Sequence, residues 1–435
     1  MKKVIAVIDI GKTNKKIFLF DKNFEVCFQK SRQFKEIFDE DDFPCDDLEL
    51  IEKWLLEEIK KIQKNPNYNL KAINFSTHGA SLIYLDKEGN RIAPLYNYLK
   101  PLDLMEYTSL YKENGGVEEF SRQTASPAYG MLNSGIQMLA MKKHKPKVWV
   151  NVHSILHYPQ YLSYLFTNKI TADFTSVGAH TATWNFDEMQ YHAWLTKENI
   201  LLPEPLNGEK AMIVEINGKQ IAVGSGLHDS SSSIIPILEK ESKNFILLST
   251  GTWIIAMNPF STQTLTKHQL TNNCLCFMTP TKQQVKSSMQ FLGGIHEMYL
   301  KPMSNYFNVP LEEHLNLDLN GKLYKKLIIE NAQIFLGEEI DLSFGVDEKL
   351  FKYFGNYESA YSQLIFEISK KVIAGIDLIS DKDNPIKNIY ISGGFNKNRI
   401  FTKFLTLLKK NLVVRITDCK NESALGAALM MKSYI

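Results

Sequence analysis

Four short polar stretches follow apolar segments of this sequence, and their residue types suit the binding of a nucleotide or the acceptance of a proton. They are DIGKTN at 9–14, GLHDSSSS at 226–233, STGTW at 249–253 and SGGFNKN at 392–398. A tight turn between two strands points several backbone N–H groups the same way, and such groups bind anions. Glycine lets the backbone approach a ligand closely because it has no Cβ. The sequence therefore predicts phosphate-binding turns.

The first turn carries charges of both signs. Asp9 ends an apolar strand, where an unpaired carboxylate is costly unless it faces a cation or water. A magnesium ion that bridges phosphate groups would satisfy it, with the metal keeping several of its waters. Gly11 and Thr13 would supply an N–H and a hydroxyl donor, and further charge is available from Lys12, Lys15 or Lys16. Taken alone, DIGKTN also fits an ordinary hairpin with a polar tip.

The second turn, STGTW, offers hydroxyl and N–H groups without formal charge. Alone it also fits an ordinary turn, but the two turns together could hold a polyphosphate between two domains. Gly393 and Gly394 follow a predicted strand and open a helix, a geometry in which a base or ribose can lie against the backbone. Neither G-x-G-x-x-G nor the P-loop pattern G-x-x-x-x-G-K-[ST] occurs.

Asp229 is the candidate catalytic residue. It follows a predicted strand and two glycines, and a carboxylate in such a loop can accept a proton from a substrate hydroxyl. Phosphoryl transfer to an alcohol needs little more than this acceptor, magnesium and donors around the phosphates. The alternative is that Asp229 caps the helix that begins within SSSSIIPIL, although Ser230 or Ser231 could cap it instead.

Polar groups after strands of the first half are candidates to line a pocket for the acceptor. His228 could hydrogen-bond a sugar hydroxyl, although a lone histidine is more often structural. The other candidates come from FSTHGAS and YNYLKP and are Ser76, His78, Gly79 and Tyr98. A serine hydrolase is disfavoured because no serine lies in a G-x-S-x-G elbow. The sequence also lacks H-E-x-x-H and clustered cysteines, which would indicate a transition metal.

The elements that must position these residues follow an α/β pattern that occurs twice. VIAVIDIGKTNKKIFLF and NFILLSTGTWIIAMN are both strand, polar turn, strand, and Gly11 and Gly251 lie 240 residues apart. FEVCF predicts a third strand, and apolar spacing predicts an amphipathic helix over Leu48–Lys64. We therefore predict two domains, 1–230 and 231–435, with a cleft between them and a boundary near residues 225–240.

Composition bounds the class of protein and its partners. A chain of 435 residues predicts two domains, and 50 basic against 48 acidic residues favour neither nucleic acid nor an anionic membrane as partner. The apolar run after MKK ends at Asp9, too early for a secretory signal, and five cysteines show no disulfide or zinc spacing. We expect a reduced, cytoplasmic protein that is a monomer or a homodimer.

The order of the four motifs resembles that of the FGGY carbohydrate kinases of the sugar kinase/actin superfamily, over nearly the whole chain. The resemblance implies two ribonuclease H-like (actin-like ATPase) domains with a central cleft, ATP and Mg²⁺ as cofactors, and a small-molecule sugar as substrate. It implies Asp229 as the catalytic base and Asp9 as the residue near the metal, with Asn398 near the adenine. The implied cofactor-binding residues are Asp9, Gly11, Thr13, Asn14, Lys16, Gly251, Thr252, Gly393, Gly394 and Asn398.

Within the family, HDSSSSIIPIL and LNSGIQMLA are most similar to the rhamnulokinase branch. That similarity implies a 6-deoxy-ketose acceptor such as L-rhamnulose or L-fuculose. The alternatives are a pentulose (xylulose-type) or polyol kinase, and a non-catalytic protein of the same fold that senses a sugar or nucleotide. YNYLKP lacks the Tyr-Arg-Asp type of segment usual in the sugar loop of the family, so the sequence leaves the sugar and the phosphorylated hydroxyl open.

Overall fold

Two mixed β-sheets form the framework of the protein. The computed structural model describes residues 1–337, 345–417 and 419–435. The first sheet has seven strands and is built from the first half of the chain, and the second has six strands from the second half. Each sheet starts with the predicted unit of strand, polar turn and strand, so the predicted duplication of an α/β design is confirmed.

The first sheet combines an antiparallel meander with parallel strands. Its strand order is β5-β6-β4-β1-β2-β3, and β7 pairs with the end of β4. Strands β1, β4, β6 and β7 run parallel, whereas β2, β3 and β5 run antiparallel to their neighbours. The bounds are β1 Lys2–Ile10, β2 Lys15–Phe20, β3 Val26–Arg32, β4 Tyr68–Thr77, β5 Ala211–Ile216, β6 Lys219–Gly224 and β7 Leu227–His228.

The second sheet repeats this design with the strand order β10-β11-β9-β8-β12-β13. Strands β8, β12 and β13 are parallel, and β9, β11 and β10 continue the sheet antiparallel from β8. The bounds are β8 Phe245–Thr250, β9 Ile254–Asn258, β10 Cys274–Met278, β11 Gln284–Gln290, β12 Asn388–Gly393 and β13 Val413–Ile416. In both sheets, therefore, two neighbouring parallel strands end at the edge where the first of them leads into a polar turn.

Helices and short ladders cover the sheets. The helices are α1 Leu48–Lys64, α2 Thr108–Glu113, α3 Val117–Thr124, α4 Ser134–His144, α5 Pro146–Trp149, α6 Tyr158–Thr167, α7 Phe174–Val177, α8 Trp194–Lys197, α9 Asp229–Ser232, α10 Ile235–Leu238, α11 Lys267–Thr271, α12 Leu292–Phe307, α13 Gly321–Glu330, α14 Tyr357–Leu378, α15 Arg399–Leu408 and α16 Glu422–Leu429. The two-stranded ladders pair Ile37–Phe38 with Pro44–Cys45, Leu82–Leu85 with Ser154–His157, Ala172–Asp173 with Pro205–Leu206, and Trp184–Asn185 with Gln190–Tyr191. The 3₁₀ helices are Leu104–Tyr107, Gly130–Leu132, Leu311–Leu315, Glu348–Tyr353, Gly394–Lys397 and Lys432–Tyr434.

Local sequence explains the bounds of the predicted elements. Helix α1 has the predicted limits because Asp47 caps it, accepting a hydrogen bond from Leu50 N at 3.0 Å, which contributes about 1 kcal/mol. Its apolar stripe is buried against the first sheet. The predicted third strand begins later than expected, at Val26, because Phe24 has a positive φ of 59° and belongs to the preceding turn.

The end of the chain crosses back to the first sheet. Helix α16 packs on β1 and β4, and Asn74 Nδ2 on β4 donates to the carbonyl of Ala427 at 2.8 Å. The alanines of α16 allow this close approach, and the helix joins the apolar cluster on that face of the sheet. The division of the chain at residues 230 and 231 stays a prediction. Within the three ranges that the structure describes, no helix is both long enough and apolar enough to cross a bilayer.

Candidate active site

Three parallel strands of the first sheet end side by side, and most of the predicted acceptor-side residues follow them. Asp9 near the end of β1 lies opposite Ser76 on β4, and Ser76 lies opposite Leu227 on β7. His78 and Gly79 follow β4, and Asp229 follows β7. Because carboxyl ends of neighbouring parallel strands meet at one edge of a sheet, residues from three distant parts of the sequence converge there.

Asp9 and Asp229 are close enough for their charges to interact. Burial raises the pKa of Asp9, and the negative charge of Asp229 raises it further. Ser423 Oγ, at the start of α16, donates a hydrogen bond to Asp9 Oδ1 at 3.1 Å, and Lys16 lies opposite Asp9 across the β-ladder. Two carboxylates that repel each other at a partly buried site favour a bound cation or a proton between them.

Asp229 is the first residue of α9 and not its cap. The N-cap position belongs to His228, which makes no capping hydrogen bond through its side chain. Asp229 Oδ1 accepts a hydrogen bond from Ser230 N at 2.6 Å and lies 3.4 Å from His228 Nε2. A third of the Asp229 side chain is exposed, so the carboxylate can reach a ligand. The neighbouring protein atoms nevertheless shield the carboxyl group from water, and this desolvation raises the pKa of Asp229.

A chain of buried hydrogen bonds fixes the backbone just before Asp229. Asp173 Oδ2 accepts from Thr175 Oγ1 at 2.6 Å, and Thr175 Oγ1 in turn accepts from His228 N at 2.8 Å. Gln160 Nε2 donates to Asp173 Oδ1 and to the carbonyls of Ser225 and Gly226, at 3.1–3.2 Å. Sequence reasoning missed Gln160, Asp173 and Thr175. The contacts of Gln160 and Thr175 with residues 225–228 span 53 to 66 residues of the chain, so no local pattern indicates them.

Aromatic rings and imidazoles surround the acceptor side. The His78 ring centroid lies 5.8 Å from that of Tyr98 and 5.7 Å from that of Tyr158. A Cβ added to Gly79 would come within 3.1 Å of the His228 ring, so the strand ends carrying these two residues touch. The structure thus brings together the predicted residues Ser76, His78, Gly79, Tyr98, His228 and Asp229.

The imidazoles of this region are neutral. Burial lowers the pKa of His78, and it lowers the pKa of His228 to about 4. His78 Nε2 is buried and has no hydrogen-bond partner among the described residues. A neutral imidazole can donate from one nitrogen and accept at the other, which suits hydroxyl groups.

The lysines of the first turn have different partners. Gly11 N donates to the Asn14 carbonyl at 3.0 Å, which closes the turn. Lys15 is buried, and its Nζ contacts Asp46 Oδ1 at 3.1 Å and the Lys12 carbonyl at 2.8 Å. Lys12 pairs with Glu36 at 3.1 Å and lies 5.9 Å from the centre of the Tyr98 ring. Lys15 therefore supports the turn from beneath, and Thr13 is exposed at its tip.

Glycines from two other segments lie directly against the second turn. Gly251 N donates to the Trp253 carbonyl at 3.1 Å, which repeats the closure of the first turn. A Cβ on Gly293 would overlap the carbonyl oxygen of Gly251, and a Cβ on Gly393 would overlap that of Thr250. Gly393 has a φ of 83° and lies opposite Thr250 in the parallel pair β8–β12. Gly251, Thr252 and Trp253 are exposed.

A cavity of about 180 Å³ adjoins the second turn. Asn398 lines it, but its amide is already engaged, because Oδ1 accepts from Phe401 N at 3.0 Å and Nδ2 donates to Tyr361 Oη at 2.8 Å. His296 Nε2 also contacts this tyrosine hydroxyl, at 2.9 Å. Further residues that line the cavity are Thr250, Gly251, Gly293, Glu297, His314, Gly394 and Phe395. Sequence reasoning missed the histidines.

A larger cleft of about 670 Å³ joins the two halves. Tyr98 and Tyr129 lie on the side of the first half, and Trp253 of the second turn and Met289 lie on the other side. The acceptor-side ring of Tyr98 and the second turn therefore line one cleft. Lys100, at the same cleft, forms ion pairs with Asp39 at 2.6 Å and Asp41 at 2.7 Å, which tether the YNYLKP loop.

Comparison with known proteins gives one family. The model described as the FGGY family of carbohydrate kinases, N-terminal domain, matches residues 4–235, more than half of the chain. A rhamnulokinase of Oceanobacillus iheyensis is 21% identical over 446 residues, covering 93% of this chain and 88% of that protein. A rhamnulokinase of Mannheimia succiniciproducens is 23% identical over 263 residues, covering 57% of this chain and 52% of the relative, so that this alignment spans about half of its length.

Solved structures share the whole fold. A carbohydrate kinase from Novosphingobium aromaticivorans superposes with a TM-score of 0.80 at 19% identity, covering 98% of this chain and 91% of that chain. Ligand-bound xylulose kinase from Lactobacillus acidophilus gives a TM-score of 0.76 at 16% identity, covering 99% and 89%. At such identities the likeness establishes the fold alone, and it confirms the expected two-domain actin-like ATPase architecture.

Proposed function

We propose, since the chain belongs to the FGGY family of carbohydrate kinases, that it transfers the γ-phosphate of ATP to a 6-deoxy-ketose such as L-rhamnulose or L-fuculose. Membership in this family makes the protein a phosphotransferase with an alcohol group as acceptor, and it implies the use of ATP. The rhamnulokinase relatives support the choice of a 6-deoxy-ketose. The identity of the sugar and the choice of the phosphorylated hydroxyl are parts of the proposal and do not follow from family membership.

One observation carries the proposal: Asp9 and Asp229 converge beside a set of neutral imidazoles, at the edge of the sheet that bears the first turn. Asp229 accepts the proton of the sugar hydroxyl while the hydroxyl oxygen forms its bond to the γ-phosphorus and ADP leaves. His78 and His228 hydrogen-bond other hydroxyl groups of the sugar. The Asp173–Thr175 pair holds the His228 backbone, which keeps the neighbouring carboxylate in place.

The phosphates are bound by backbone groups of both halves. In the proposal the N–H groups around Gly11 and Gly251 hold the triphosphate from opposite sides, with hydroxyl donors from Thr13 and Thr252. Lys16 and Asn14 belong to the first of these sets. Gly393 and Gly394 approach the ribose or the base of ATP. Asn398 shapes the cavity through its two buried hydrogen bonds and not through contact with the adenine edge.

A magnesium ion fits the carboxylate at Asp9. The pKa of Asp9 is raised by burial and by the neighbouring charge of Asp229, and a cation would relieve both effects. Among the residues that the structure describes, no three His, Cys, Asp or Glu side chains gather as a metal site, so Asp9 would hold the ion together with waters and phosphate oxygens. Magnesium bound there supplies charge neutralisation for the transferring phosphoryl group.

The proposal keeps the expected oligomeric state, a monomer or a homodimer. The proposal places the enzyme in the cytoplasm, where ATP is available.

A pentulose is the second candidate acceptor, because xylulose kinase is among the structures of the same fold. A pentulose kinase would differ from a 6-deoxy-ketose kinase only in the sugar contacts of the pocket around His78 and Tyr98. A non-catalytic sensor is the third candidate, and the presence of Asp229 as a candidate base argues against it.

The test is ADP release with purified protein, ATP, Mg²⁺ and a panel of L-rhamnulose, L-fuculose, D-xylulose and glycerol. We expect ADP release with a 6-deoxy-ketose at a kcat/KM at least about tenfold above that for D-xylulose, the discrimination that one group in a pocket gives. A higher kcat/KM with D-xylulose or glycerol would instead identify that compound as the acceptor. No ADP with any of the four, together with a melting shift caused by one of them, would favour the sensor.

A further inference from the structure

His180 has an unusual backbone conformation close to the proposed acceptor site. Its φ is 41°, and Ala182 two residues later has a φ of 62°. Residues other than glycine seldom adopt this left-handed region, and such conformations persist where the surroundings enforce them, often at functional sites. The segment follows α7, whose residue Thr175 holds the His228 backbone.

The start of helix α4 enforces this conformation. Asn133 Nδ2, at its N-cap, donates to the His180 carbonyl at 2.8 Å, and Gly135 N donates to the Thr181 carbonyl at 2.7 Å. Ala182 N donates to Ser126 Oγ at 2.9 Å. Three hydrogen bonds in three consecutive residues therefore fix the direction in which the His180 side chain leaves the backbone.

The imidazole of His180 lies against the catalytic segment. Its ring centroid is 6.4 Å from that of His228, edge to face at 89°, and His228 precedes Asp229. On the other side Phe277, on strand β10 of the second sheet, contacts both rings, at 5.7 Å and 6.0 Å. His180 thus lies where the acceptor side of the first half meets the second sheet.

One polar atom of this ring, Nδ1, has no hydrogen-bond partner among the described residues. His180 Nδ1 is buried and accepts or donates no hydrogen bond within the described part of the chain. Burial lowers the pKa of His180 to about 3, so the ring is neutral and keeps one donor and one acceptor. Buried polar atoms normally have a partner, and leaving one without a partner is costly.

We propose that His180 binds the acceptor sugar through a hydroxyl group other than the one that Asp229 deprotonates. The inference rests on the proposed function, and it adds a specificity-determining residue to it. With His78 and His228, the ring forms a set of three uncharged imidazoles beside Asp229. Such a set fits a neutral polyhydroxylated acceptor and offers no cation to hold the carboxylate of a sugar acid.

Two variants separate a binding role from a structural one. His180→Gly removes the ring and also relieves the left-handed backbone, and His180→Asn keeps a residue type that tolerates this region. The matched control is His192→Asn, because His192 is buried, accepts from Trp194 N through Nδ1 at 3.3 Å, and contacts Phe120 away from the acceptor residues.

The experiment measures KM for the best ketose of the panel and for ATP, together with the melting temperature. We expect both His180 variants to raise the ketose KM about tenfold or more, the size of effect that a lost polar contact gives, while the ATP KM stays within about twofold. His180→Gly should melt within a few degrees of the unsubstituted protein, and His192→Asn should leave both KM values unchanged.

The outcomes are distinguishable from failure of the proposed function. If the unsubstituted protein phosphorylates a ketose and the His180 variants show the same ketose KM, the His180 inference is wrong and the kinase assignment stands. A parallel loss of ATP and ketose binding with a lower melting temperature would assign His180 a structural role only. If D-gluconate is phosphorylated at a rate equal to that of the ketose, the inference that the site selects an uncharged acceptor is wrong. Absence of ADP with every acceptor would remove the kinase assignment and the inference with it.

Discussion

The two glycine-bearing turns share one backbone design and differ in charge. In both, a glycine N–H closes the turn onto a carbonyl, at 3.0 Å for Gly11 and 3.1 Å for Gly251. In both, the first strand of the turn pairs with a parallel strand whose end contributes further residues. The first turn lies among carboxylates and lysines, whereas the second lies among glycines, hydroxyls and aromatic rings.

This difference suits different roles for the two halves in the proposed reaction. In the proposed reaction, the charged side chains lie where a proton is accepted and a metal would bind, and both events change the local charge. The second turn would hold its ligand through backbone groups, which need close approach and therefore small residues around them. Gly293 and Gly393 meet that need from two separate segments.

The largest effect should come from the charged half. We expect Asp229→Asn to lower kcat by about 10²–10⁴-fold, the usual contribution of general-base catalysis, because asparagine cannot accept the proton. ATP binding should stay near normal, measured by titration calorimetry. Unchanged turnover in this variant would remove Asp229 from the mechanism.

The second effect concerns Asp9. We expect Asp9→Asn to lower kcat by about 10²-fold and to raise the Mg²⁺ concentration needed for half-maximal rate, because the carboxylate near the metal is lost. Steady-state rates across a magnesium titration measure this. The control is Ser423→Ala, which removes only the hydroxyl donor to Asp9. Equal magnesium dependence in Asp9→Asn and the unsubstituted protein would contradict a metal role for Asp9.

A smaller effect is expected in the uncharged half. A Cβ on Gly251 would lie 4.0 Å from its nearest neighbour, Trp253 O, so Gly251→Ala should fold normally. It should raise the ATP KM about tenfold, because the added methyl group occupies ligand space. Gly293→Ala is the contrast, since its Cβ would overlap the Gly251 carbonyl and should lower the melting temperature as well. An unchanged ATP KM in Gly251→Ala would separate this turn from the nucleotide.

The smallest effect is a displacement of the pH profile. Burial raises the pKa of Asp229, and its ionised form is the active base, so activity should fall as the pH is lowered through this raised pKa. We expect the acid limb of kcat/KM for the ketose to lie above the ordinary aspartate value of about 3.9. An acid limb at or below that value would show that another group limits the rate.

Much of the framework could be predicted from sequence because local rules decide it. The limits of α1 follow from Asp47 and the apolar spacing, and the two strand–turn–strand units follow from apolar runs around glycine. Asp9 could be singled out because it lies near the end of such a strand, and His78 and Asp229 because each follows a strand. The packing of α16 on the first sheet could not be predicted, because the sequence of an alanine-rich helix does not indicate which surface it packs against.

The second layer of the site also escaped sequence reasoning. Lys15 is one of three lysines that could add charge to the first turn, and its position on β2 points it at Asp46 beneath that turn. The family resemblance implies that Asn398 lies near the adenine, and both polar atoms of its amide make hydrogen bonds inside the protein. In each case a long-range contact, 31 residues away for Lys15 and 37 for the Tyr361 partner of Asn398, decides what the side chain does.

The most direct test of the account is a crystal structure of Asp229→Asn with ATP, Mg²⁺ and L-rhamnulose. The account predicts phosphate oxygens within hydrogen-bond distance of backbone N–H groups at both Gly11 and Gly251, with the metal beside Asp9 and the sugar between His78 and residue 229. A triphosphate that contacts only one turn, or a sugar bound away from these residues, would contradict it.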